Sequence, residues 1–176
     1  MQEVEFIDAE VISLSTEINL KPSMTTDELI EALVKYEKNI FYEKTEFGEL
    51  TNYFDLNFSA PGRYDVIYNH ILVHKYYLNE GMEEELPFND ALVSWYNNVY
   101  NPVISIIKEQ WLRANFAGRT EADLYVWIIK HWDFLKKKYG TYSLSKAALD
   151  FSKKYGQDKG KFLRFLALLI GRFFNK

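Results

Sequence analysis

Residues 62–78 read GRYDVIYNHILVHKYYL and residues 118–135 read GRTEADLYVWIIKHWDFL. The first is Gly62-Arg63-x4-Tyr68-x5-His74-x3-Leu78 and the second Gly118-Arg119-x5-Tyr125-x5-His131-x3-Leu135. Beyond the Gly-Arg pair they align without gaps: Ile67 falls opposite Leu124, Ile71 opposite Ile128, and Tyr77 opposite Phe134. The chain has 3 histidines, and two of them occupy matching places. Apolar residues recur at helical spacing, so each stretch predicts an amphipathic helix that buries the same face. Two related helices with related interiors make the fold mainly α.

The rest of the chain follows from these two helices. Pro61-Gly62 opens the first, over about 63–79, with Ile67, Ile71, His74 and Leu78 as its stripe. The second spans about 120–139 and stops at Gly140. Between them, 88–100 predicts a helix with Ala91, Leu92, Trp95 and Val99 inward, Pro102 breaks or kinks it, and 103–112 continues as helix. Residues 83–85 are a solvated acidic link. Upstream, Thr25-x-x-Glu28 is a capping box ahead of a helix over 26–43. Residues 48–59 are ambiguous, with 53–58 readable as a short strand. Residues 19–24 predict a turn around Pro22, and 4–14 alternate well enough to predict a strand. Downstream, 143–155 and 158–174 predict two more helices. The expected fold is a multi-helix bundle with an internal helical repeat and a short N-terminal β-strand, divided into 1–20, a helical core at 21–140, and a basic helical extension at 141–176. An orphan strand needs a partner within the chain or across a homodimer.

Composition bounds the chemistry. The chain is 176 residues long and fits one domain, or one domain plus an appendage. Its aromatic content of 17% supplies large fillers between helices. It has no cysteine, which excludes disulfides, thiolate catalysis and Cys-ligated zinc. No signal peptide or spanning apolar run of about 18 residues is visible, and a bacterial-type cytoplasmic location is expected. Residues 136–176 hold 11 Lys and Arg against 2 acids, net +9, while the remainder holds 10 against 23, net −13. A basic end on an acidic body is an electrostatic feature with consequences for partners.

Three groups of residues are candidates for function. His70 and His74 lie four apart on a helix and His131 lies in the equivalent helix, a spacing compatible with one metal; residues 71–73 lack the glutamate of the zinc-protease pattern. The competing reading has these histidines hydrogen-bonded within the core. Arg63 and Arg119, each beside a glycine at a helix start, are candidates for holding an anion; alternatively each pairs with an internal carboxylate such as Asp65, Glu121 or Asp123. Lys136, Lys137, Lys138, Lys153 and Lys154 are candidates for nucleic-acid phosphates, beside an anionic membrane surface or docking of the apolar 162–174 stretch on the body or a partner. The aromatic-rich middle can stack on bases, although core packing is the commoner use. No nucleophile elbow, phosphate-binding loop or dinucleotide fingerprint is present. No cofactor is implied, and the balance lies against an enzyme.

The run FIDAEV at 6–11, PGRY at 61–64, His74, SWYNNVYNP at 94–102 and GRTEADLY at 118–125 resembles the C-terminal part of poorly characterised bacterial proteins. Those carry an N-terminal ParB/sulfiredoxin-like domain and are labelled ParB-like nucleases or transcriptional regulators. The resemblance covers about residues 4–140, and its GRTEADLY portion is specific. It implies that 6–11 are the closing strand of a ParB-like domain, and that the chain is a fragment, an isolated domain or a natural short relative. The family's Gly-Asn-His-Arg-type motif is not present, so nuclease function does not carry over. Ala117 stands where the family usually has proline, and Asn69 where it commonly has glutamate. The expectation is a non-enzymatic helical interaction or accessory module of a ParB-like, DNA-associated regulatory protein, with a protein partner, itself or nucleic acid bound. The alternatives are a metal-dependent hydrolase at His70, His74 and His131, and an anion or nucleotide sensor at Arg63 and Arg119.

Overall fold

The computed structural model describes residues 21 and 23–156. The expected strand at 4–14 and the expected helix at 158–174 lie outside them. Among the described residues the chain is mainly helical, with no strand: α1 (Thr26–Thr45), α2 (Phe47–Thr51), α3 (Tyr64–Asn79), α4 (Phe88–Trp95), a π-helical turn (Tyr96–Tyr100), α5 (Asn101–Ile107), α6 (Gln110–Arg113), α7 (Glu121–Tyr139) and α8 (Leu144–Tyr155).

The capping signals behave as the sequence predicts. Thr25 Oγ1 accepts from the Glu28 N–H, and the Thr25 N–H donates to Glu28 Oε2 at 2.7 Å. The repeat is real in three dimensions. Gly62 and Gly118 both take left-handed backbone, at φ 76° and 82°. Ile67 and Ile71 of α3 are buried, as are Leu124 and Ile128 of α7, while Tyr77 and Phe134 are exposed in both. The one-residue difference in spacing has a local effect. In the second copy the extra residue is Thr120, which caps α7 in a reciprocal box with Asp123. In the first copy Arg63 stands at the cap and makes no side-chain capping bond.

The proline breaks less than expected. Pro102 lies in the first turn of α5, and the residues just before it widen into a π-turn closed by Asn101 N–H on Tyr96 C=O. The wider turn is a recognised way for a helix to absorb a local misfit, so the chain stays helical from α4 through the π-turn to α5.

The proposed strand at 53–58 is corrected. α2 occupies 47–51, and the segment after it has no regular structure. Side chains take its backbone groups instead of a neighbouring strand. Tyr42 OH accepts from the Leu56 N–H, Tyr64 OH donates to Leu56 C=O at 2.8 Å, and Lys38 Nζ donates to Phe54 C=O at 2.9 Å. Leu56 and Phe58 still enter the core, which accounts for the strand-like alternation in the sequence.

Two halves meet at the centre of the molecule. α3 packs on α1 and α4, α8 packs on α5, α6 and α7, and α5 also packs on α7. The core between them is largely aromatic. Trp95, Tyr100 and Tyr125 form a closed trio with ring centroids 4.9–5.9 Å apart. Ala148 and Phe151 of α8 belong to the same hydrophobic core.

Candidate functional site

The two repeat helices do not close on each other. A cleft of about 300 Å³ separates α3 from α7 and is floored by Trp95 of α4 and Val99 of the π-turn. Both α3 histidines line it, with different partners. His70 Nδ1 lies 3.4 Å from Tyr125 OH, and His74 Nε2 lies 3.0 Å from Ser94 Oγ. Burial holds both below the ordinary histidine value, so both are neutral at pH 7. Asp133 and Lys136 stand on the opposite side, paired at 2.8 Å.

His131 is elsewhere. It is 8% exposed, its Nε2 lies 2.7 Å from Asp150 Oδ2 on α8, and its ring packs against Phe134, Phe151 and Tyr155. The structure therefore brings His70 and His74 to one cleft and sends His131 to another contact. No group of three His, Asp or Glu among the described residues is placed to hold a metal ion.

Both Gly-Arg starts already face a carboxylate, and not through the arginines. The Gly62 N–H donates to both carboxylate oxygens of Glu37 from α1, at 2.8 and 2.7 Å. At the second start Asp123 accepts from Thr120 Oγ1 at 2.9 Å and from the Ser59 N–H at 3.2 Å. Arg63 and Arg119 make no ion pair among the described residues. The Arg119 guanidinium instead lies over the Trp127 ring at 5.4 Å.

The basic runs end helices. Lys136, Lys137 and Lys138 occupy the last turn of α7, and Lys153 and Lys154 the last turn of α8, where positive charge complements the helix dipole. Lys136 lies over Trp132 at 4.0 Å, Lys138 over Tyr139 and Lys154 over Tyr155, both at 5.0 Å. Lys137 and Lys153 are exposed.

A second surface emerges between α7 and α8. Two depressions of about 390 and 410 Å³ share Trp127, Phe151 and Tyr155. Arg119 lines the first, and Lys130 and Lys154 the second. The buried Asn115 also lines the first; its amide nitrogen is held by Trp111 C=O and Ser152 Oγ, while its Oδ1 has no hydrogen-bond partner among the described residues. Lys130 escaped the sequence reading because it lies outside the basic runs. The signal that could have found it is the i, i+3 spacing of Trp127 and Lys130, with Phe151 and Tyr155 at i, i+4 on the next helix.

None of the family models, curated proteins or solved structures compared with the chain matches it.

Proposed function

We propose that the chain is a non-enzymatic helical interaction module of a ParB-like, DNA-associated regulatory protein, and that its α7–α8 groove holds single-stranded nucleic acid. The observation that carries this reading is the interleaving of Arg119, Lys130 and Lys154 with Trp127, Phe151 and Tyr155 on one open surface. Cations beside ring faces are what a flexible phosphate chain with stackable bases requires. The +9 charge of residues 136–176 adds attraction at the same end of the chain. The ParB-like family resemblance of the FIDAEV and GRTEADLY runs supplies the regulatory context.

The test is binding of labelled single-stranded oligonucleotides across a salt series. Affinity should fall linearly on logarithmic axes. Lys130→Glu and Lys154→Glu should each reduce the slope by about 0.7, and Trp127→Ala should cost about 1–3 kcal/mol. Binding that ignores salt, or that survives both lysine reversals, would refute the assignment. The hydrolase reading is favoured least, because His70, His74 and His131 have three separate partners in two places.

A further inference from the structure

The α7–α8 groove adjoins the point where the described chain stops. Tyr155, the last residue of α8, lines both of its depressions, and Gly156 follows. The sequence runs on for 20 residues after Gly156. We propose that the groove is the docking site of the chain's own segment 159–174, which nucleic acid must displace in order to bind there. The docking stands by itself; the displacement rests on the nucleic-acid reading given above.

The length and pattern of that segment select it as the occupant. Ten of the 14 residues in 161–174 are apolar, too many to leave in water at no cost. Lys161, Arg164 and Arg172 recur at spacings of three and eight, which helical geometry gathers on one side. Leu163, Leu166 and Ile170 fall on the opposite side. Only Gly156 and Gln157 stand between α8 and the helix that the sequence predicts over 158–174. Helices joined by so short a link lie antiparallel, side by side. Beside α8 the groove offers the matching apolar surface: Phe134 and Tyr155 are 54% and 53% exposed, and Trp127 is half-buried. Arg119, Lys130 and Lys154 along the groove repel a basic stripe, so the stripe faces out and the leucine side faces in. Once docked, the segment covers the rings on which bases would stack, and the two occupants exclude each other.

The test uses the full chain, which has no cysteine of its own. Lys130→Cys is paired with Leu166→Cys, and the control pairs Glu31→Cys, exposed on α1, with the same Leu166→Cys. A short bis-maleimide should link the Lys130 pair about tenfold faster than the control, within one chain, because the tether keeps the segment beside its groove. Adding Leu163→Ser and Ile170→Ser should slow that reaction about tenfold, whereas Lys161→Ala, on the outward stripe, should not. Single-stranded oligonucleotide should slow it as well. A Lys130 rate no higher than the Glu31 rate would overturn the proposal, and shielding of the Leu166 cysteine by phosphatidylglycerol vesicles would then assign the segment to a membrane surface. A linked dimer as the main product would overturn it in favour of a second copy. So would a rate indifferent to the serine pair, which removes the apolar contact. Fast linking without any oligonucleotide binding would support the docking and sink the nucleic-acid reading, while oligonucleotide binding that leaves the rate unchanged would sink the displacement.

Discussion

Asp123 is 2% exposed although it lies in the first turn of α7. It serves two jobs with one carboxylate. It closes the capping box with Thr120, and it takes the Ser59 N–H of the segment ahead of α3. Removing it leaves Thr120 Oγ1 capping the helix through the residue-123 N–H but takes the acceptor from the Thr120 and Ser59 N–H groups. Asp123→Ala should therefore destabilise the fold by about 2–3 kcal/mol, measurable by urea denaturation. The sequence placed Asp123 beside a helix start as a partner for Arg119. The Thr120-x-x-Asp123 spacing of a capping box went unread in the sequence and emerged from the structure. That Asp123 pairs with Ser59, across 64 residues, was not legible, because a contact of that kind exists only once the chain has folded back.

At the scale of elements, two glycines are required for different reasons. Gly118 takes φ 82° with open space around its absent side chain. Gly118→Ala should cost about 1–2 kcal/mol through backbone strain alone, and Gly118→Asn, which tolerates that backbone, should cost less. Gly156 ends α8 with ordinary φ, but a Cβ there would sit 2.4 Å from Ser152 C=O and 3.0 Å from Asn115 Cβ. Gly156→Ala and Gly156→Asn should both destabilise, by about 1–3 kcal/mol, with no recovery in Asn. Thermal melts of the four variants separate strain from crowding. The repeat helices, their stops and the α1 capping box were all readable from spacing. The fate of Pro102 was not, because whether a proline breaks a helix or is absorbed by a π-turn depends on what holds the flanking turns, here the packing of Trp95 and Tyr100.

The whole molecule should respond to acid through its α3 histidines. Burial lowers both below their unfolded value of 6.5, with Asp133 opposing and Lys130 assisting at His70. Below that value the unfolded chain binds more protons than the native one. Stability is then fully present above pH 6.5 and falls as pH drops toward the lowered native values. His70→Gln should flatten that acid limb in chemical denaturation measured at several pH values; an unchanged limb would assign it to other groups. No helix among the described residues is long and apolar enough to cross a membrane, in keeping with the hydropathy of the sequence. The sequence by itself determined the helical class, the paired α3 and α7, and which of their faces are buried, because those depend on local period and capping. Only the tertiary structure decided which side chains meet. It separated His131 from His70 and His74, supplied Glu37 to the first glycine start, and set Trp127 beside Phe151 and Tyr155. Those pairings join residues far apart in the chain, and the packing of helices, rather than any spacing along one of them, fixes the distances.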